Sequence, residues 1–297
     1  MNKHIRQVLL PILAAAIWGS AFVFQNKVSD TVGAFTFNAC RAIIATVFLL
    51  ILHHGICHQR KRRGSFTPQP KRKLFWGSIA CGLCLSIATN LQQIGIADTT
   101  AGKAGFITAM YMVLVPIFGL FLKKRVSPVI WLSVLLASAG LYFLSIQGGF
   151  ALSSGDFYIM LCAIVFAVHI LCIDHFTQFV DGIALSCGQF AVTAVVSLIV
   201  AACTEMDCWG NIIGSIWPIV YVGVFSSGVA YTLQIVAQKG SNPTVVSLLL
   251  SLESVFAVIC GALFLHERLS LRELAGCALI MVAVILTQLP QKTSKKA

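Results

Sequence analysis

The stretch Phe121-Leu122-Lys123-Lys124-Arg125-Val126-Ser127 returns 143 positions later as Phe264-Leu265-His266-Glu267-Arg268-Leu269-Ser270. Upstream, Asn90-Leu91-Gln92 has its counterpart in Thr232-Leu233-Gln234, 142 positions on. In both copies an apolar run of helical length ends in a short charged turn, and a second apolar run follows. The chain therefore reads as two repeats, residues 1–149 and 150–297.

Each repeat resolves into five apolar stretches of about 20 residues, the length that spans a bilayer core. They are 8–28, 33–53, 74–96, 102–122 and 127–146, then 156–174, 183–203, 214–237, 243–265 and 270–289. Breakers separate them: Gly33, Pro68 and Pro70, Gly148-Gly149, Asn211 to Gly214, and Asn242-Pro243. Composition agrees, with 58% hydrophobic and 10% charged residues and a mean hydropathy of +0.89; soluble domains carry about 25% charge. Lys3 and Arg6 ahead of Val8 to Ile17 have the look of a signal peptide, but the apolar run continues to about Val28 without a cleavage site. It reads as the first helix. The expected fold is an all-α integral membrane protein of ten transmembrane helices, with too little chain between them for a nucleotide-binding or sensory domain. Five crossings per repeat turn the second repeat over, and inverted repeats of this kind characterise secondary transporters, whose substrate site lies near the midplane.

The charge pattern sets an orientation. With the N-terminus inside, 16 of the 21 Lys and Arg residues fall on the inner side and four (Lys27, Lys103, Arg268, Arg272) on the outer, leaving Arg41 within a span. That bias places both termini in the cytoplasm. A net charge of +11 could point to nucleic acid, but the cations cluster at helix ends, so no nucleic-acid partner is expected. The run Arg60-Lys61-Arg62-Arg63 with Lys71-Arg72-Lys73 reads as a topology signal, with contact to anionic membrane lipid as a second reading. The eleven cysteines lie mostly in apolar spans and read as small packing residues; Cys81-x-x-Cys84 has no histidine or second pair beside it.

Trp18-Gly19-Ser20-Ala21-Phe22 in the first span, Arg41 early in the second, Gly155-Asp156 opening the sixth and Leu265-His266-Glu267-Arg268-Leu269 closing the ninth resemble the EamA-type branch of the drug/metabolite transporter superfamily. The resemblance covers nearly the whole chain as two successive repeats. It implies a ten-helix inverted-repeat fold, a cytoplasmic (inner) membrane location, and export or exchange of small metabolites without ATP. One departure stands out: the family often places Glu in the turn after the fourth helix, where this chain has Lys124, so only Glu267 in the second copy fits.

Ionisable groups inside a span cost roughly 2.5–3.5 kcal/mol on insertion scales, so each needs a reason. Glu253 lies midway along the ninth span among apolar neighbours, and its counterpart in the first repeat is Met110. It reads as a substrate-facing or proton-carrying carboxylate, or as a buried group held by Arg41 or by a hydroxyl from another helix. Ser227, Tyr231, Gln234 and Gln238 fall at i, i+4, i+7 and i+11, one helical face that lipid cannot satisfy. Ser86, Asn90 and Gln93 repeat the idea in the third span, with Gln92 beside them. Such amides suit a polar metabolite, and they also serve as interhelical glue. Lys103 could steer an anionic substrate or snorkel to the interface. Arg41 sits about 12 Å inside its span at 1.5 Å per residue, a depth that suits a salt bridge or a gate. Trp18 and Phe22, one turn apart, form a candidate aromatic wall, while His169 reads as a hydrogen-bonded core histidine.

Enzyme chemistry finds no footing. The segment Gly95 to Lys103 has the wrong spacing for a phosphate loop, and Ala104 stands where Ser or Thr is required. His266-Glu267 lacks a second histidine, and no Gly-x-Ser-x-Gly elbow occurs. No cofactor and no metal are expected. The expectation is a secondary-active exporter of small amino-acid-like or drug-like molecules working by alternating access, with protons as a coupling ion. Spans three, four, eight and nine should line its cavity, with Glu253, Tyr231, Gln234, Asn90, Gln92, Gln93, Trp18 and Lys103 binding substrate and Glu253 and Arg41 coupling or gating. A facilitator or exchanger with the same cavity, or a non-transporting sensor or assembly protein, are the alternatives. Monomer and homodimer both remain open.

Overall fold

A computed structural model describes residues 3–65, 68–99, 101–124, 126–145, 153–264 and 270–289. Arg125, Gly148-Gly149 and the motif Leu265-His266-Glu267-Arg268-Leu269, with the lone turn acid Glu267, lie outside the described residues. The described chain is helical throughout. It comprises α1 (Lys3–Ser29), α2 (Ala34–Arg62), α3 (Lys71–Ile96), α4a (Ala101–Ala109) and α4b (Tyr111–Phe121), and α5 (Pro128–Ser145). The second half gives α6 (Ser154–Phe176), α7 (Gly182–Thr204), α8 (216–238), α9a (Pro243–Leu250) and α9b (Glu253–Phe264), and α10 (Leu271–Gln288). Among the described residues nine helices are long and apolar enough to cross a membrane, and Pro128–Leu144 is a shorter apolar one.

Three expected spans differ in an instructive way. The fourth and ninth are not continuous rods; each breaks in the middle, at Met110 and at Ser251-Leu252. At the second break Ser247 and Ser251 donate their hydroxyls to the carbonyls of Thr244 (2.9 Å) and Leu248 (2.8 Å), which competes with regular helical bonding. Bonds to the third residue back take over, from Leu252 to Leu249 and from Ser254 to Ser251. The first break shows the same tightening, from Met110 to Ile107 and from Val113 to Met110. The eighth helix passes from an α-turn (Ile216–Tyr221) through a π-helical stretch (Val222–Ala230) to a final α-segment (Tyr231–Gln238).

The two halves run in opposite senses. Near the start of α1, Gln7 donates to the carbonyl of Gly240 just past α8, and this end of the bundle also holds Arg60 on Asp181 and Lys124 on Asp174. Ser154, which opens α6, instead bonds Asp98 just past α3, at the far end. The strongest interhelical packing joins α5 to α10 and α2 to α7, each helix meeting its own counterpart in the other half. Likewise α3 packs on α6 as α8 packs on α1, and α4 on α6 as α9 on α1. The result is a pair of inverted five-helix repeats.

Close crossings carry this arrangement. At the α5–α10 contact a Cβ on Gly140 would lie 2.7 Å from the Gly276 carbonyl, and one on Gly276 would lie 2.6 Å from that of Gly140. Only glycine lets two backbones approach so nearly, the usual device where lipid removes the hydrophobic drive between helices.

Candidate functional site

Both helix breaks lead into one cavity. Tyr111 opens α4b, Glu253 opens α9b, and the Tyr111 hydroxyl donates to Glu253 Oε1 at 3.1 Å. A first-half residue thus satisfies the second-half carboxylate that the sequence leaves without a local partner. Both side chains are buried, at 3% exposure each. Behind Glu253, α1 approaches so closely that a Cβ on Gly19 would lie 2.7 Å from the Glu253 carbonyl and 2.6 Å from Phe256 Cβ.

Around this bond lies a cavity of about 30 Å³, counted as space open to the centre of a water molecule, which is room for roughly two waters. Its aromatic wall is Trp18, Phe22, Tyr111, Phe166 and Tyr231, and its polar lining includes Gln25, Arg41, Gln92, Gln234 and Glu253, with the hydroxyl residues Thr108 and Ser226. Trp18 and Tyr231 meet with ring centroids 4.7 Å apart. Trp18 Nε1 also donates at 3.3 Å to the Ser226 carbonyl in the π-stretch. Arg41 is held by Gln25 Oε1 at 3.0 Å and lies over the Phe37 ring. No ion pair joins Arg41 to Glu253 among the described residues. One cavity therefore holds an arginine and a glutamate, each on its own neutral partner.

The symmetric amides Gln92 and Gln234 both reach this cavity. Gln92 donates to Thr108 Oγ1 at 3.2 Å, while Gln234 Oε1 has no partner among the described residues. A family model described as the EamA-like transporter family matches residues 5–146 and again 153–289. The chain belongs to the EamA-like transporter family. Relatives of this EamA-like protein include an "Uncharacterized transporter" of Archaeoglobus fulgidus, 31% identical over 283 residues, covering 93% of this chain and 84% of the relative. An uncharacterized transporter of Synechocystis is 27% identical over 96% of this chain and 90% of its own length. A chloroplastic WAT1-related protein of Arabidopsis thaliana is 25% identical over 92% and 67%. A solved structure described only as the crystal structure of a protein matches with a TM-score of 0.76 at 19% identity, covering 95% of this chain and 96% of that one. That likeness shows the fold alone.

Within the EamA-like cavity, Trp18, Arg41, Gln92, Tyr231, Gln234 and Glu253 come together. Three other expected site residues lie apart from this lining. Asn90 is buried in a knot where it accepts from Asn38 at 2.9 Å and donates to Ser197 Oγ at 2.9 Å, between α2, α3 and α7. Gln93 donates to the Gln25 carbonyl at 3.2 Å. Lys103 pairs with Asp156 at 2.5 Å near the far end of the bundle. The expected polar face of α3 is thus turned toward α7 and α1, leaving Gln92 alone on the cavity side. On α8, Ser226 rather than Ser227 lines the cavity, because the wider π-turn aligns residues five apart, placing 226 over Tyr231. Gln238 holds the α6 backbone, donating to the Ile170 carbonyl at 3.0 Å. His169 bonds Gln189 at 3.1 Å in the core, outside the lining. Helices α1, α2 and α6 also contribute to the lining, and Gln25 of α1, Thr108 and Tyr111 of α4 and Phe166 of α6 are lining residues that the sequence reasoning missed. The repeat offset could have found the position of Tyr111: it follows Met110, the counterpart of Glu253.

Proposed function

We propose that this EamA-like protein is a secondary-active transporter that exports small organic molecules, amino-acid-like or drug-like, by alternating access. Its two halves correspond to residues 1–149 and 150–297, and it sits in the cytoplasmic membrane with the basic end and both termini inside. The observation that carries the reading is the Tyr111–Glu253 bond: the broken helices of the two inverted halves meet through one buried side-chain pair inside a common cavity. Broken helices facing a midplane site are the recurring construction of such carriers, since irregular backbone is tolerated in lipid only where it lines a cavity.

The ends of α4 supply the gates. Lys103, near the start of α4a, pairs with Asp156 at the start of α6, and Lys124, past the end of α4b, pairs with Asp174 near the end of α6. Each pair joins the first half to the second at one surface. At the far end the fully buried Asp156 also accepts from Thr99 and from the backbone of Ser153, which closes that side. At the basic end a cleft of about 430 Å³ surrounds Lys124, Asp174, Gln178 and Asn242. Both pairs are formed in this structure, and a full cycle releases one while the other holds.

Coupling to protons is assigned to Glu253, the one carboxylate of the cavity lining. The test is flux in proteoliposomes carrying the purified protein and loaded with metabolites that differ between cells with and without it. Saturable, substrate-specific efflux supports the carrier. A protein that binds partners yet moves nothing in this assay overturns it in favour of the non-transporting reading.

A further inference from the structure

We propose that the cytoplasmic ends of α2 and α3 form a binding surface for anionic glycerophospholipid. The 29 residues of α2 make a rod of about 43 Å at 1.5 Å per residue, against a hydrocarbon core of about 30 Å. Measured from Ala34, the core ends after about 20 residues, near His53-His54. The last turns of α2, with His58 and Arg60-Lys61-Arg62-Arg63, therefore stand at headgroup level. A shallow groove crosses that boundary, lined by Leu50 and Ile51 below and by His53, His54, Cys57 and Lys61 above. An apolar floor rising into a cationic and imidazole rim matches an acyl chain that ends in a phosphate.

The charge distribution points to the same partner. Among the described acidic residues only Asp174 and Asp181 stand at the basic end, and both are already paired, with Lys124 and with Arg60 (2.9 Å). Arg62, Arg63, Lys71 and Arg72 are exposed and have no carboxylate partner among the described residues. Just beyond Lys71-Arg72-Lys73, Phe75 and Trp76 are 60% and 55% exposed, aromatic side chains at the depth where rings settle between headgroup and chain. The groove floor runs on into the lipid-facing belt of Val47, Leu50 and Ile51. A soluble acidic partner would leave that floor and those rings without a role; a membrane phospholipid uses all three.

The experiment takes the full-length protein in a neutral detergent and counts retained lipid by native mass spectrometry against phosphatidylglycerol or phosphatidylcholine, with sodium phosphate and polyglutamate as competitors. Phosphatidylglycerol should be retained at least about fivefold over phosphatidylcholine, as expected when several cations face one anionic headgroup layer. The preference should vanish in Arg62→Gln/Arg63→Gln/Lys71→Gln/Arg72→Gln. Because those cations also orient the chain, the milder Arg63→Gln/Arg72→Gln is measured beside it and should lose part of the preference. Equal retention of both lipids by the unaltered protein overturns the proposal. So does an undiminished preference in both variants, or displacement of phosphatidylglycerol by equimolar phosphate or polyglutamate.

Discussion

At the scale of single residues the cavity depends on contacts that act over very short distances. Glu253→Gln keeps the shape and the bond from Tyr111 but cannot give up a proton. Flux by this variant should persist at a reduced level and lose its dependence on a pH gradient; full dependence would remove Glu253 as the proton-coupling group. Gly19→Ala places a methyl within 2.7 Å of the α9b backbone, overpacking that should cost about 1–3 kcal/mol, visible as a lower unfolding midpoint. Asp181 lies outside the spans and caps α7. Burial pushes its carboxyl up, but the Arg60 guanidinium and the Ile183 and Ala184 amides prevail and hold it below the ordinary carboxylate range. Its charge therefore contributes stability above the ordinary value, and that contribution is lost as pH falls through the lowered one. Asp181→Asn, which can still cap the helix, should flatten the acid limb of a stability–pH curve, and an unchanged limb would refute this. Glu253, Arg41 and the amides were legible as intramembrane polar groups. Tyr111 was not, because an aromatic hydroxyl in an apolar span carries no signal until its partner, 142 positions away, is known.

At the scale of elements, helix count and helix direction follow from hydropathy and an odd number of crossings, and the expected spans lie close to the observed helices. The breaks in α4 and α9 and the π-stretch in α8 do not follow. No proline or glycine marks Met110 or Ser251-Leu252, and regular periodicity cannot register a π-turn that shifts a face by one residue. For the same reason the α3 stripe misled: Asn90 and Gln93 share a polar face, but neighbouring helices rather than substrate satisfy it. The α4–α6 ion pairs belong to this scale. Lys124→Asp should impair transport several-fold by leaving two acids facing each other, and Lys124→Asp with Asp174→Lys should restore much of the rate. Failure of the exchange to rescue, with both variants folded, would remove the gate role.

At the scale of the whole molecule, the most extensive packing, α5 on α10 and α2 on α7, runs between the halves and not within them. Neither half can bury its inner face alone. Residues 1–149 and 150–297 produced separately should aggregate, whereas co-expressed they should copurify and regain flux; a soluble, folded single half would contradict the intertwined core. The near-twofold design is broken at its centre, where one helix interruption presents Glu253 and the other Met110. A proton-driven pump with a solitary acid exchanges at most one proton per turnover. If Glu253 couples transport to protons as proposed, the steady-state gradient for an uncharged cargo cannot exceed about tenfold per unit of ΔpH at zero membrane voltage, and a second glutamate in place of Met110 would double the exponent.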